Sequence, residues 1–190
     1  MRFDHVAIAA PDHRPVLRSI TGELGGLVIS GGTPPGSGFR AMQIRIGRGL
    51  DGMTVELLEP HQPENNDFLQ RFVESTGGGV HHITFKTDDI VAERERLRSL
   101  GIEPVGVNFA SRGWMEMFIH PKDAHGTVIQ IAQSSWKPQA MDEWLAGLPD
   151  SVMIFDQSET GPWWDPEAVL TSDRVATLER VVIATPDPEA

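Results

Sequence analysis

The sequence contains no cysteine, and this excludes several kinds of functional site. A disulfide framework, a thiolate metal site and a cysteine nucleophile all require the missing thiol. Any metal ion bound by this chain must therefore be held by histidine, carboxylate, amide and water ligands.

Positive charge is scarce as well, because 16 lysines and arginines stand against 27 acidic residues, which gives a formal net charge of -11. Nucleic acids and anionic membrane surfaces are bound through clustered cations. We therefore expect neither a nucleic acid nor a membrane as a partner.

The chain also lacks a long apolar run. No segment approaches the ~18 consecutive apolar residues that a transmembrane helix requires. The first residues read as a strand rather than as a signal peptide, so the expected location is the cytoplasm. The chain has 190 residues, 39% of them apolar, which is enough for one packed domain with an appended segment.

The first sixty residues follow the order β-α-β-β-β. Residues 3–10 (FDHVAIAA) alternate as a strand does, Asp12 is placed to cap a helix, and residues 14–24 have helical spacing before Gly25 ends the segment. That helix is expected to bury three side chains: Val16, Ile20 and Leu24. Three short strands are expected to follow, near residues 27–30, 42–46 and 54–58.

The same order returns between residues 79 and 135. Residues 81–87 read as a strand, Asp89 caps a helix that ends at Gly101, and further strands are expected near 105, at 115–119 and at 127–132. The helix is expected to bury an aliphatic stripe: Val91, Leu97 and Leu100. The glycines at 77–79 are interpreted as a linker between the modules, because no helix follows them to form a phosphate site.

The two modules align at their first and last strands. FDHVAIAAPD aligned with VHHITFKTDD places His5 on His82, and MTVELLEP aligned with GTVIQIAQ places Glu56 on Gln130. Because side chains alternate between the faces of a strand, a polar residue among apolar neighbours must be hydrogen-bonded internally or face a cavity. If the modules pack about a pseudo-twofold axis, the four side chains converge. Such a nitrogen and oxygen set suits Zn, Mn, Fe, Co or Ni.

Four phrases, DHVAIAAPD, VELLEP, GGGVHHITFKTDDI and FIHPKDAHGTVIQIAQ, resemble the methylmalonyl-CoA epimerases of the vicinal-oxygen-chelate (glyoxalase) superfamily. The resemblance implies an α+β fold in which modules 1–60 and 79–135 form a cupped eight-stranded mixed sheet around one divalent metal ion. The metal ligands that it implies are His5, Glu56, His82 and Gln130. It also implies a homodimer, a small carbonyl or acyl-thioester substrate, and proton abstraction next to the carbonyl with metal stabilisation of an enediolate.

The ligand set departs from the epimerase pattern. In that pattern a glutamine stands at Glu56, a glutamate stands at Gln130, and a further glutamate stands near residues 40–43, where this sequence has no carboxylate. An amide cannot accept a proton at neutral pH, so two-base epimerisation lacks its usual bases. Two other residues are candidates for the base: Glu56 after it leaves the metal, and Glu116 on the strand MEMF.

The remaining histidines are interpreted as structural or surface residues. His81 has the opposite strand parity to His82 and is not expected to be a ligand. His120 and His125 flank the turn HPKDAHG and are interpreted as loop residues, with a substrate contact through Lys122 or His125 as the alternative.

Three classes of function stay open. A metal-dependent isomerase, epimerase or lyase is the leading interpretation. A binding or drug-resistance protein of the same fold without turnover is the alternative, although four inward polar positions argue against it. An Fe(II) dioxygenase is the least supported, because its facial triad needs a carboxylate on the final strand, where Gln130 stands.

The domain is expected to span residues 1–135, with residues 136–190 as a C-terminal extension. Residues 141–147 suit a short helix. The sequence WWDP at residues 163–166 is interpreted as an aromatic anchor folded over the domain.

The sequence from residue 178 onward is similar to the sequence from residue 3 onward. LERVVIATPDPEA resembles FDHVAIAAPDHRP, so residues 178–186 are expected to form the first strand of a further module, with Arg180 in the position of His5. The alternative is an edge strand that covers the sheet of the first domain.

Overall fold

The computed structural model describes residues 1–49, 52–110, 113–135 and 163–184. Eight strands run through these residues: β1 (Arg2–Ala9), β2 (Leu27–Gly32), β3 (Phe39–Ile46), β4 (Met53–Pro60), β5 (Gly79–Lys86), β6 (Val105–Asn108), β7 (Met115–Ile119) and β8 (Val128–Gln133). Three α-helices accompany them: α1 (His13–Arg18), α2 (Phe68–Thr76) and α3 (Ile90–Ser99). None of the helices in the described residues is long and apolar enough to cross a membrane.

The eight strands form one sheet in the order β2-β3-β4-β1-β5-β8-β7-β6. Strands β5 and β8 are parallel, whereas the pairs β2–β3, β3–β4, β6–β7 and β7–β8 are antiparallel. The sheet is therefore mixed. The α+β class and the eight-stranded mixed sheet expected from the sequence are confirmed.

The chain divides into two compact units by its internal contacts. Among the described residues, the first unit contains residues 1–6, 81–135 and 180–184, and the second contains residues 7–80 and 163–179. Strand β1 contributes its first five residues to the first unit and its last three to the second.

The second unit has two helices on its strands. Both α1 and α2 pack against β4. One cluster of buried apolar side chains joins α2 to the strands: Ala7, Ala9, Leu58, Leu69 and Val73. Helix α2 was not predicted from the sequence, although Leu69 and Val73 stand one turn apart and form its buried stripe.

The first helix differs from its prediction in its final turn. After α1, residues 19–23 form a π-helical turn in which the Leu24 amide donates to the Ser19 carbonyl at 3.3 Å. This wider turn shifts the helical periodicity, so Leu17 and Ile20 are buried, whereas Leu24 is 40% exposed. The prediction that Leu24 belongs to the core was wrong for this reason.

The first unit packs α3 against the strand β8. Its core contains Ile90, Leu97, Met117, Ile119, Ala124 and Ile131. The prediction for Leu97 is confirmed. Val91 and Leu100 are 57% and 63% exposed, so their assignment to the core was wrong. Val91 follows the buried Ile90 by one residue, which turns it about 100° away from the core, and Leu100 lies beyond the last helical residue.

Residues 163–176, called the C-terminal strap below, belong to the second unit and pack on its other residues. The Trp163 indole nitrogen donates to the Ala41 carbonyl at 2.9 Å, and the Leu170 amide donates to the Thr21 hydroxyl at 3.0 Å. Trp164 is 6% exposed, and its ring lies so close to Gly31 that a Cβ there would come within 2.4 Å of it. The interpretation of the two tryptophans as an aromatic anchor agrees with these contacts.

The last described residues do not form the predicted strand. Residues 178–184 belong to no helix or strand, and Val182 is 80% exposed. The edge-strand alternative is therefore wrong for these residues. Residues 185 and 186, and the helix predicted at residues 141–147, lie outside the described residues.

The buried tryptophan predicts how strongly the strap stabilises the second unit. We expect Trp164→Ala to lower the free energy of unfolding by about 3–5 kcal/mol, because it empties a large aromatic site beside Gly31. Urea unfolding followed by circular dichroism measures this change. The matched control in the same strap is Val175→Ala, whose side chain is 56% exposed and which we expect to change the value by less than about 0.5 kcal/mol. Equal stabilities for the two variants would contradict a docked strap.

Candidate metal centre

His5 lies on β1 with only 1% of its surface exposed. Its two ring nitrogens face different partners. Nδ1 lies 2.8 Å from Asp4 Oδ2, and Nε2 lies 2.9 Å from the Thr84 hydroxyl oxygen. A carboxylate can only accept, so the Nδ1 proton of His5 is donated to Asp4. In the neutral ring Nε2 is then the nitrogen with a lone pair.

Gln130 lies on β8 and is also buried. Its amide nitrogen donates to Glu116 Oε2 at 2.7 Å, and its amide oxygen accepts from the Thr84 hydroxyl at 2.6 Å. These two bonds fix the orientation of the amide. The oxygen of Gln130 and Nε2 of His5 therefore converge on the same hydroxyl group.

The donor chemistry around Thr84 fits a bound cation. The Thr84 hydroxyl oxygen lies within hydrogen-bond distance of both Nε2 of His5 and Oε1 of Gln130. Imidazole nitrogen and amide oxygen are both ligand atoms for divalent metal ions, so the donor types beside Thr84 suit a metal site.

His82 lies on β5, two residues before Thr84 in the chain and on the same side of the strand. It is 5% exposed, and its ring is edge-on to that of His5, with the centroids 5.7 Å apart. The Nδ1 atoms of His81 and His82 lie 2.9 Å apart, so one of them carries a shared proton. His81 therefore contacts the ring of His82 and orients it.

Glu116 lies on β7, and its carboxylate accepts hydrogen bonds from two neighbouring side chains. Its Oε2 accepts from the amide nitrogen of Gln130 and, at 2.9 Å, from the indole nitrogen of Trp114. The Trp114 ring stacks on His5 with the centroids 6.2 Å apart. Glu116 is thus held beside a predicted ligand.

Lys86, on β5, is 5% exposed and completes the surroundings of His5. Its ammonium nitrogen lies 3.1 Å from Asp4 Oδ1 and 5.0 Å from the centroid of the Trp114 ring. Burial raises the pKa of the Asp4 carboxyl, but the hydrogen bond from His5 and the charge of Lys86 outweigh it and hold the pKa below its ordinary value. Asp4 is therefore an anion beside His5.

Glu56 lies on β4, directly opposite Gln43 of β3. The Gln43 amide nitrogen donates to Glu56 Oε1 at 2.7 Å. His5 and His82 of the first unit each offer a ring nitrogen, and Glu56 of the second unit offers a carboxylate oxygen, so these three residues form one group of candidate metal ligands.

A second group of the same kind, Asp12, His13 and Glu59, belongs to the second unit. The His13 Nδ1 lies 2.7 Å from Glu59 Oε2, and the amide of Asp165 in the strap donates to His13 Nε2 at 3.1 Å.

Arginine side chains donate hydrogen bonds to the carboxylates of this second group. Arg40 donates to Glu59 Oε1, and Arg14 donates to both oxygens of Asp12. Burial raises the pKa of Glu59, but the hydrogen bonds from Arg40 and His13 outweigh it and keep the pKa below its ordinary value. Two guanidinium groups repel a cation, so this group is an ion-pair network that holds the strap.

The other polar residues considered from the sequence lie apart from these contacts. His120, Lys122 and His125 are exposed, as the loop interpretation expects. Gly77 ends α2 in the left-handed conformation, with φ at 79°.

Several residues of the candidate site were not predicted. Asp4, Thr84, Lys86 and Trp114 contact the predicted residues. Part of the signal was present, because residues 82, 84 and 86 share one face of β5 and all three are polar and buried.

A family model described as a glyoxalase-like domain matches residues 3–190. The ethylmalonyl-CoA/methylmalonyl-CoA epimerase of Cereibacter sphaeroides is 30% identical over 135 residues, which are 70% of this chain and 97% of that protein. The mitochondrial methylmalonyl-CoA epimerase of Homo sapiens is 30% identical over 140 residues, covering 70% of this chain and 74% of that protein.

Solved structures agree with the sequence comparisons. A variant of Streptomyces coelicolor methylmalonyl-CoA epimerase in complex with 2-nitronate-propionyl-CoA superimposes with a TM-score of 0.64 and 27% identity, covering 72% of this chain and 99% of that one. A methylmalonyl-CoA epimerase in complex with methylmalonyl-CoA and NH4+ gives the same TM-score and identity, covering 73% and 97%. Since the family model spans nearly the whole chain, the chain belongs to the glyoxalase-like domain family.

Proposed function

We propose that this chain is a metal-dependent isomerase or epimerase that removes a proton from the carbon next to a carbonyl group. The observation that carries the proposal is the orientation of the Gln130 amide. Its oxygen is directed toward the hydroxyl that faces His5, and its nitrogen is directed toward the carboxylate of Glu116. One side of this amide suits metal binding, and the other holds a candidate base.

The proposed ligands of one divalent metal ion are His5, Glu56, His82 and Gln130. Two imidazoles, one carboxylate and one amide oxygen suit Zn, Co, Ni, Mn or Fe. A bound metal supplies Lewis-acid stabilisation of the negative charge that develops on the carbonyl oxygen. His81 and Asp4 orient the two imidazoles through their Nδ1 atoms.

The proposed substrate class is an acyl thioester, with another small carbonyl compound as the alternative. The similar proteins include ethylmalonyl-CoA and methylmalonyl-CoA epimerases, and the similar structures carry acyl-CoA ligands. A thioester carbonyl makes the neighbouring C–H bond acidic enough for a carboxylate base when the developing charge is stabilised.

Glu116 is the proposed base. Two N–H donors hold its Oε2, so the carboxylate has a defined orientation beside Gln130. In the proposed step the proton moves from carbon to Glu116 while the C–H electron pair moves toward the carbonyl oxygen, which leaves a planar enolate. A solvent proton delivered to the opposite face then inverts the carbon, whereas return of the first proton from Glu116 restores the starting configuration. Glu56 would act as an opposing base only after it leaves the metal.

A binding protein without turnover is the second candidate. The observation that favours it is the lack of carboxylates where the epimerase pattern has them, since an amide stands at Gln130 and residues 40–43 contain no carboxylate. Gln43 donates to Glu56, and neither amide can take a proton from carbon. Homodimerisation and a cytoplasmic location stay predictions.

The proposed ligand set predicts the metal content of the protein. We expect near-stoichiometric metal in wild-type protein purified without chelator or after reconstitution with Zn, Co, Ni, Mn or Fe, and its loss in His82→Ala, because one imidazole is removed. Elemental analysis measures both. His120→Ala is the matched control, since His120 is exposed on a loop, and it should keep the metal. Absence of metal from the wild type under all these conditions would contradict the proposal.

The proposed base predicts hydrogen exchange at the substrate carbon. In D2O, metal-loaded wild-type protein should incorporate deuterium next to the carbonyl of methylmalonyl-CoA, as measured by mass spectrometry. Glu116→Gln should slow the exchange by roughly 10²–10⁴-fold, because general-base catalysis contributes that much. The amide keeps the size of the side chain, so substrate binding should change little.

Glu103→Gln is the control for this experiment, because Glu103 is exposed and pairs with Arg98 on the surface. If Glu116→Gln exchanged as fast as wild type, the base would be a different residue. If metal-loaded wild-type protein bound the thioester without exchanging the hydrogen next to its carbonyl group, the binding-protein hypothesis would replace the isomerase hypothesis.

A further inference from the structure

A buried lysine lies beside the candidate metal centre, where a cation is unexpected. Lys86 is 5% exposed, and buried lysines are rare unless they are paired. Its ammonium group is 3.1 Å from Asp4 Oδ1 and lies over the Trp114 ring. A second cation near a metal site opposes metal binding unless an anion separates the two charges.

Asp4 is that anion, and it divides its two oxygens between the lysine and the histidine. Oδ1 faces Lys86, and Oδ2 accepts from Nδ1 of His5 at 2.8 Å. Lys86 fixes the carboxylate in place, because moving Oδ2 away from His5 would also disturb the buried ion pair. The proton of His5 is thereby kept on Nδ1, and Nε2 is left facing the side of Thr84 and Gln130.

We propose that Asp4 and Lys86 are positioning residues that set the tautomer and ring orientation of His5 for metal binding. The proposal rests on the metal site proposed above. Asp4 acts on the site through its contact with His5, and Lys86 acts through its contact with Asp4. A carboxylate behind a metal-binding histidine fixes its tautomer and raises its basicity, and loss of such a group lowers metal affinity by roughly 10–100-fold.

The positioning role explains why the buried ion pair between Lys86 and Asp4 is present, although the stability of a core does not require such a pair. Replacing a buried ion pair by apolar residues is often neutral or stabilising. A purely structural pair would affect the unfolding free energy and leave the ring of His5 unchanged. The protonation state of the His5 nitrogens therefore separates the two roles.

The test compares wild type, Asp4→Asn and Asp4→Asn with Lys86→Met. The single variant leaves Lys86 buried beside a neutral amide, and the double variant removes both charges while keeping the volume of the lysine stem. Metal-free protein is examined by long-range ¹H–¹⁵N NMR of the histidine rings, and zinc affinity is measured by calorimetric titration with zinc alone. Asp88→Asn, an exposed aspartate before α3, is the matched control.

In wild type and in Asp88→Asn we expect a proton on Nδ1 of His5 and equal zinc affinities. In both Asp4 variants we expect the Nε2-protonated tautomer to appear at His5, the tautomer of His82 to stay as it is in wild type, and zinc affinity to fall by roughly 10–100-fold. A wild-type His5 without a proton on Nδ1 would overturn the proposal. Wild-type zinc affinity in the double variant would overturn it as well.

This experiment separates the two proposals. If wild-type protein bound neither zinc nor any of the other proposed metals, the proposed function would fail, whereas the ring nitrogens of metal-free wild type and Asp4→Asn would still decide whether Asp4 controls the His5 tautomer. If zinc bound tightly to wild type and to both Asp4 variants, the metal site would stand and the positioning role would fall.

Discussion

The candidate site depends on one buried hydroxyl group, that of Thr84. It lies between Nε2 of His5 and the amide oxygen of Gln130, and its side chain is fully buried. Each polar atom around it would incur a desolvation cost of about 1–3 kcal/mol if its partner were removed. The hydroxyl therefore fixes the amide of Gln130, and this in turn directs the amide nitrogen to Glu116. An apolar residue in this place would leave both neighbours without a common partner.

Two groups of histidine and carboxylate illustrate how surroundings decide chemistry. Around His13 and Glu59, guanidinium groups and the backbone amide of Asp165 take up the acceptors, and the result fastens the strap to the second unit. Around His5, the ammonium group of Lys86 faces one oxygen of the Asp4 carboxylate, and the ring of His5 faces the other. A metal cation is attracted to a place where acceptor atoms converge. It is repelled where guanidinium groups already pair with the carboxylates.

The exchange of amide and carboxylate relative to the epimerase pattern has a chemical consequence. A metal held by His5, Glu56, His82 and Gln130 would meet the same kinds of donor atom, but the negative charge lies on β4 instead of β8. On β4 the carboxylate of Glu56 accepts from Gln43, which keeps it oriented and lowers its freedom to act as a base. On β7, Glu116 supplies a carboxylate beside Gln130, whose amide stands where the epimerase pattern has a glutamate. In the proposed mechanism, proton removal would therefore take place on a neighbouring strand.

The sequence by itself determined the module order and the polar positions of the strands, because strand alternation and the internal repeat are local properties of the chain. They predicted the β-α-β-β-β pattern and singled out His5, His82 and Gln130. The same local patterns failed at Leu24, Val91 and Leu100, where a π-helical turn, one residue of helical rotation and a helix end decided burial. Only the tertiary structure brought Lys86 to Asp4 and Trp114 to His5, placed Glu116 beside Gln130 and docked the strap. These contacts join residues far apart in the chain, so they depend on strand order and register, which no local pattern specifies.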